Sequence, residues 1–105
     1  MSDILADLAQ TIADRRGADL SLSYVAKLLA GGTPLAARKL GEEAVETIVA
    51  ALSGDKAELT AEAADLLFHL LILLESRDVT LDTVLAELDR REGVSGLTER
   101  AARTP

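Results

Sequence analysis

Residues 41–65 read GEEAVETIVAALSGDKAELTAEAAD, and the fold follows from how this stretch is parsed. Ala, Leu and Glu dominate both sides of Gly54, and all three are good helix formers. Gly54 is a natural stop for the first helix, because glycine accepts the left-handed conformation just past a helix end. Asp55-Lys56-Ala57-Glu58 then has the pattern of a capping box, with Asp55 as the cap and Glu58 reaching back. Two helices joined by so tight a turn are antiparallel neighbours. Glu43 and Glu46 lie eleven and eight residues before Gly54, and Glu62 and Asp65 lie eight and eleven after it. The two acid pairs therefore stand at the same height of the hairpin and are expected to face each other.

Within each helix the acids already crowd one side. Residues three or four apart share a helix face, so Glu42 and Glu43 both neighbour Glu46, and Glu62 neighbours Asp65. The stripe Glu62, Asp65, His69 continues into Ile72 and Leu73, which points it at a neighbouring helix rather than at water. Like charges at this spacing cost a few tenths of a kcal/mol per pair (about 0.2–0.5) on an exposed helix, and more in a partly dry site. A hard divalent cation would offset that repulsion. All-oxygen ligation suits Mg²⁺ or Mn²⁺ better than zinc. Mg²⁺ typically binds through a few carboxylates together with substrate phosphates, so the implied chemistry is phosphoanhydride cleavage. Two other readings of the same residues stay open: a salt-bridged structural face, and a non-catalytic dimerisation or adaptor module whose acidic stripe meets a basic partner.

Outward from the hairpin the pattern remains helical. A first helix can start after Ser2 and run to about Arg16, with Ile4, Leu5, Leu8 and Ile12 on one face and Gly17 as its stop. A second starts near Ser23 and ends at Gly31-Gly32. Thr33-Pro34 reads as a cap followed by proline at the first helical position of the third helix. The fourth helix continues to about Arg77, and Thr80 can cap a fifth from Leu81 to about Arg91, before Gly93. The expectation is an all-α helical bundle of about five helices with a central antiparallel pair, residues 1–93, followed by a tail of weak periodicity, 94–105. From Leu66 to Leu74 the fourth helix is apolar nearly all round. The short partner helices of one chain do not cover such a surface, so a homodimer sharing this helix is expected.

Composition narrows the function. The 105 residues carry 18 acidic and 11 basic side chains, a net charge of −7, which argues against nucleic-acid binding through phosphate neutralisation. There is no cysteine, hence no thiolate nucleophile and no Cys-based zinc site. No secretory leader is evident, and no apolar run approaches the roughly 20 residues needed to span a bilayer. A cytoplasmic protein without membrane contact is expected.

The segments Gly41-Glu42-Glu43-Ala44-Val45-Glu46 and Glu62-Ala63-Ala64-Asp65 match the EExxE…ExxD pattern of the all-α nucleotide pyrophosphatase superfamily. More narrowly, Ser23-Tyr24-Val25-Ala26-Lys27-Leu28-Leu29, Lys39-Leu40-Gly41-Glu42-Glu43-Ala44, Ala64-Asp65-Leu66-Leu67-Phe68-His69-Leu70 and Val84-Leu85-Ala86-Glu87-Leu88 resemble the phosphoribosyl-ATP pyrophosphatase family. The resemblance covers roughly residues 5–93. It implies Mg²⁺-dependent hydrolysis of phosphoribosyl-ATP to phosphoribosyl-AMP and pyrophosphate, the second step of histidine biosynthesis, in a homodimeric helical fold. The superfamily also includes house-cleaning nucleoside triphosphate pyrophosphatases, which the metal motif alone does not separate. By the same resemblance Glu43, Glu46, Glu62 and Asp65 would be metal ligands. Glu42 would be a further ligand, an outer group or the base that positions water. Some family members are fused to the cyclohydrolase of the next step; no such segment lies in these residues, so that activity is expected on another chain. Where the family often ends the fifth helix Arg-Arg-His-Gly, this chain has Arg90-Arg91-Glu92-Gly93.

Other residues are candidates beside these. Lys39, one turn before the acids, is expected to meet a substrate phosphate or to pair with Glu43, and Lys27 is a similar phosphate candidate. Arg38 falls near the apolar arc of its helix and reads as an interface residue, and Lys56 as a solvated charge. Tyr24 reads either as a base-stacking residue or as core. His69, beside leucines, reads as a satisfied core or supporting residue rather than a ligand.

Overall fold

The computed structural model describes residues 3–92. The expected tail, 94–105, and the Gly93 stop lie outside the described residues, as does Ser2. Five helices follow one another: α1 Ile4–Asp14, α2 Tyr24–Ala30, α3 Gly32–Ser53, α4 Lys56–Ser76 and α5 Leu81–Glu92. The fold is all-α.

Short polar side chains start the helices. Asp3 caps α1 by accepting from Ala6 N–H, so the first helix takes its cap one residue later than Ser2. Ser23 accepts from Ala26 N–H at 3.1 Å, and Asp55 accepts from both Ala57 and Glu58 N–H at 3.0 and 3.1 Å. The reciprocal half of the expected capping box is replaced: Asp55 N–H faces the Ser53 hydroxyl at 3.4 Å instead of Glu58. Thr33 makes no cap either. α2 passes into α3 through Gly31 alone, and a side chain on Gly31 would overlap Leu35. With that junction formed by glycine, the Thr33 hydroxyl is released to meet Ser76 Oγ at 3.0 Å across the bundle.

α3 and α4 form the expected hairpin. Gly54 sits at φ 84°, the left-handed conformation that a residue with a Cβ adopts only under strain. Two contacts fix the register. Thr33 meets Ser76 at one end, and the Thr47 hydroxyl bridges the Glu43 and Glu62 carbonyls, at 2.8 and 3.2 Å, nearer the turn. Both pairings are symmetric about the Gly54–Asp55 bond, so the helices run past each other without slip.

The core gathers on the C-terminal half of α4. Leu71 and Ile72 pack with Ile12 of α1, Leu28 of α2 and Ala36 of α3, flanked by Leu8, Phe68 and Leu74. Ile72 is fully buried. The loop after α1 is bolted to the end of α4 by Arg16, whose guanidinium donates to the Glu75 carbonyl and pairs with the Glu75 and Asp78 carboxylates. Ile4 lies outside this core and is largely exposed.

The uncovered apolar surface is not where the sequence reading put it. Much of the Leu66–Leu74 stretch is buried or half-buried, and Leu67 is its exposed member. The broad apolar stripe is instead on α3, where Val45, Ile48, Val49 and Leu52 are 59–83% exposed at one-turn spacing. α5 has no buried residue and reaches the core through Leu81, leaving Leu85 and Leu88 exposed.

Candidate active site

The hairpin register brings the acids together. Carboxylate oxygens of Glu43 on α3 and of Glu62 and Asp65 on α4 lie within 4.8 Å of one another. Glu43 and Glu62 are half-buried and Asp65 is exposed. The Oε2 atoms of Glu43 and Glu62 are shielded from solvent and have no hydrogen-bond partner. A buried acceptor left this way costs roughly 1–3 kcal/mol, more when charged, so these two oxygens are where a cation would be welcome.

Electrostatics carry the same signature. Loss of water around Glu43 pushes its carboxyl above the ordinary glutamate range, and the adjacent Glu46 and Asp65 charges push it further, against a lowering by His69. Glu62 is raised likewise, first by desolvation and then by Glu46, Glu43 and Asp65. Glu46 thus belongs to the cluster by charge, although it stands beside the tight trio rather than within it. An oxygen-lined, like-charged group with two unsatisfied acceptors fits a hard divalent cation.

Behind the trio stands a hydrogen-bonded support. His69 is 5% exposed, and its Nδ1 lies 2.8 Å from the Asp65 carbonyl. A carbonyl only accepts, so Nδ1 carries a hydrogen, and Nε2 shares a hydrogen bond with the Tyr24 hydroxyl at 3.0 Å. Both ring nitrogens are engaged, which agrees with a supporting residue and leaves none for a metal. Thr47, a polar residue four after Glu43 in an apolar run, was not singled out by the sequence reading; its hydroxyl bridges the backbone at the height of the acids.

The remaining sequence candidates lie around this centre. Lys39 pairs with Glu42 at 3.6 Å instead of with Glu43, whose side chain is turned into the hairpin. Arg38 is exposed and 3.9 Å from the same Glu42. Glu42 therefore sits on the rim between two cations, and Lys27 is exposed on α2. A cleft of about 300 Å³ between α1, the end of α4 and the start of α5 is lined by Ala9, Leu71, Leu74, Glu75 and Leu81 among others, and none of the three clustered carboxylates borders it.

Fold and site together define an all-α protein whose central hairpin carries an acidic cluster able to bind a metal ion. The family model for phosphoribosyl-ATP pyrophosphohydrolase matches residues 5–92, nearly the whole of the five helices, and the chain belongs to that family. A phosphoribosyl-ATP pyrophosphatase of Rhizorhabdus wittichii is 61% identical over 103 residues, covering 98% of this chain and 97% of the relative. Those of Erythrobacter litoralis and Dinoroseobacter shibae are 62% and 59% identical, over 94% and 95% of this chain and 95% and 98% of theirs.

Proposed function

We propose that this chain hydrolyses the α–β phosphoanhydride bond of phosphoribosyl-ATP, giving phosphoribosyl-AMP and pyrophosphate, the second step of histidine biosynthesis. The observation that carries the reading is the convergence of Glu43, Glu62 and Asp65 from two helices, with two carboxylate oxygens unsatisfied, in a chain of this family. Glu43, Glu46, Glu62 and Asp65 would hold Mg²⁺, or Mn²⁺ in its place. When bound, the cation neutralises phosphate oxygens and the charge that develops on the departing pyrophosphate. The protein's own groups supply the rest. Water bonds to phosphorus as the bridging P–O bond breaks and gives up its proton, and Glu42 on the rim would be a further ligand, an outer group or the base that positions that water. Lys39, held beside Glu42, and Lys27 on α2 meet substrate phosphates. No helix among the described residues is long and apolar enough to cross a membrane, and we assign the protein to the cytoplasm with its pathway.

The functional unit is a homodimer in this reading. Among the described residues two apolar helix faces are left bare, that of α3 and that of α5. A second copy brings the same two faces, so a two-fold arrangement covers both with no other partner. Ile48→Asp is expected to halve the mass found by analytical ultracentrifugation while leaving the helical circular dichroism in place. A wild-type chain already sedimenting as a monomer at micromolar concentration would contradict this.

The activity is tested by pyrophosphate release in Mg²⁺, comparing phosphoribosyl-ATP with ATP, dUTP and modified triphosphates. Phosphoribosyl-ATP is expected to be turned over far faster than the rest. Preference for another triphosphate would move the protein to the house-cleaning branch, and no release from any would favour the adaptor reading.

A further inference from the structure

Tyr24 combines features that a core residue does not. It is the only tyrosine of a chain without tryptophan, and the residue remains 50% exposed. Yet the ring is held in place twice. Its hydroxyl is bonded to His69 Nε2 at 3.0 Å, and it stacks on Phe68 with centroids 6.3 Å apart and planes 17° from parallel. His69 is itself buried and fixed edge-on to both rings, with centroids 5.9 and 5.2 Å away. A large aromatic surface has thus been made rigid and left open, at the first residue of α2, directly after its Ser23 cap.

Its position gives that surface a use. His69 follows Asp65 by one turn of α4, hydrogen-bonds its carbonyl and holds the Tyr24 hydroxyl, so a single side chain joins Tyr24 to the acidic cluster. A nucleotide whose phosphoanhydride lies on the carboxylates has to put its base one ribose away, and Tyr24 is an open aromatic ring joined to that cluster through His69. We infer that Tyr24 is the base-stacking surface of the substrate site, receiving the purine of the nucleotide on its open side while Phe68 and His69 hold the ring from behind. This rests on the proposed phosphoanhydride site and names the residue that binds the other end of the same substrate. Stacking reads a π-face rather than hydrogen-bonding edges, so it favours purines generally and supplies affinity more than identity. The pre-set ring keeps the ordering cost of binding low.

Because Tyr24 is the sole tyrosine and tryptophan is absent, protein fluorescence reports on this ring alone. With inner-filter correction against free N-acetyltyrosinamide, AMP and phosphoribosyl-AMP are expected to quench the wild-type emission saturably. Pyrophosphate with Mg²⁺ and ribose 5-phosphate, which lack a base, should leave it nearly unchanged. In turnover, Tyr24→Leu should raise KM for phosphoribosyl-ATP by roughly 10- to 100-fold with kcat within a few-fold, the range expected for losing one base–aromatic stack. Tyr24→Phe, which keeps the ring and loses the hydroxyl, should restore most of that KM. Absence of nucleotide quenching overturns the inference, as does an unchanged KM in a folded Tyr24→Leu protein. Tyr24→Phe as impaired as Tyr24→Leu overturns it too, since the His69 bond and not the ring would then matter. Failure of the parent reading looks different: wild-type protein would not release pyrophosphate from phosphoribosyl-ATP, while the quenching would still show whether a purine meets Tyr24.

Discussion

From Lys56 to Asp65, α4 turns Glu62 and Asp65 toward Glu43 of α3 and leaves two carboxylate oxygens without partners. From Leu66 to Ser76 the same helix buries Leu71 and Ile72, and even its one histidine has both nitrogens satisfied. The backbone geometry is continuous and α3 is the main neighbour, while α1 and α2 close over Leu71 and Ile72, so the contrast lies in the side chains and in what covers them. The C-terminal half follows the rule for stability: apolar atoms buried and polar atoms paired. The N-terminal half departs from it, placing like charges together where water is scarce. Such departures are expected at functional sites, where stability is given up for binding. The well-packed half, tied across by Thr33–Ser76 and by Arg16–Glu75, holds the register that the charged half needs.

Substitutions in the two halves should therefore move activity and stability in opposite senses. The largest effect is expected from Glu62→Gln, which removes a charge while keeping the shape. Loss of even an outer partner of a metal ligand costs about 10- to 100-fold, so turnover of phosphoribosyl-ATP should fall at least a hundredfold. The melting temperature of the metal-free variant at neutral pH should rise, because repulsion on Glu43, Glu46 and Asp65 is relieved. A variant that loses activity and stability together would erase the distinction between the halves. Ile72→Ala should do the reverse, costing about 2–5 kcal/mol of stability in chemical denaturation for a fully buried isoleucine. Below its melting transition it should keep near-normal turnover.

pH acts on the charged half through the same carboxylates. Glu43 and Glu62 are raised above the unfolded value in the folded chain, chiefly by desolvation and then by neighbouring acids. The folded state thus binds protons more readily than the unfolded one. Below the ordinary glutamate range both states are protonated and the fold has its full stability from these groups. As pH rises through the raised values, stability is lost. Melting of metal-free protein is expected to show this decline as pH rises above the ordinary glutamate range, with Mg²⁺ restoring stability there and doing little below it. Glu62→Gln should flatten the profile. The smallest effect lies at the turn, where Asp55→Ala should cost about 1 kcal/mol through loss of the α4 cap and leave the substrate preference unchanged.

Much of this arrangement was legible in the sequence because it depends on counting. Gly54 places the turn, and equal spacing on either side of it puts Glu43 opposite Asp65 and Glu46 opposite Glu62. Helix starts at Ser23, Asp55 and Thr80 were readable as local chemistry, since each cap bonds within its own first turn. What was misread depends on partners distant in sequence or on a choice between near-equal rotamers. Thr33 looks like a cap until Ser76 arrives beside it. Lys39 can reach Glu42 or Glu43 equally well on an isolated helix, and the inward turn of Glu43 decides for Glu42. The apolar run of α4 suggested a shared core on that helix, but α1, α2 and α3 cover most of it. The bare stripe on α3 is identical in pattern to a core-facing one, and only three-dimensional packing shows which side stays open. Tyr24 and His69 are 45 residues apart, and nothing in their spacing announces the bond between them.

A charged half of the hairpin that holds a divalent cation should take one up without substrate. Mn²⁺ binding followed by electron paramagnetic resonance, on wild-type protein and on Glu62→Gln at neutral pH without nucleotide, tests it most directly. Saturable uptake by the wild type is expected, competed by Mg²⁺ and strongly weakened in the variant. Equal uptake by both proteins, or none by the wild type even when pyrophosphate is added, would contradict it.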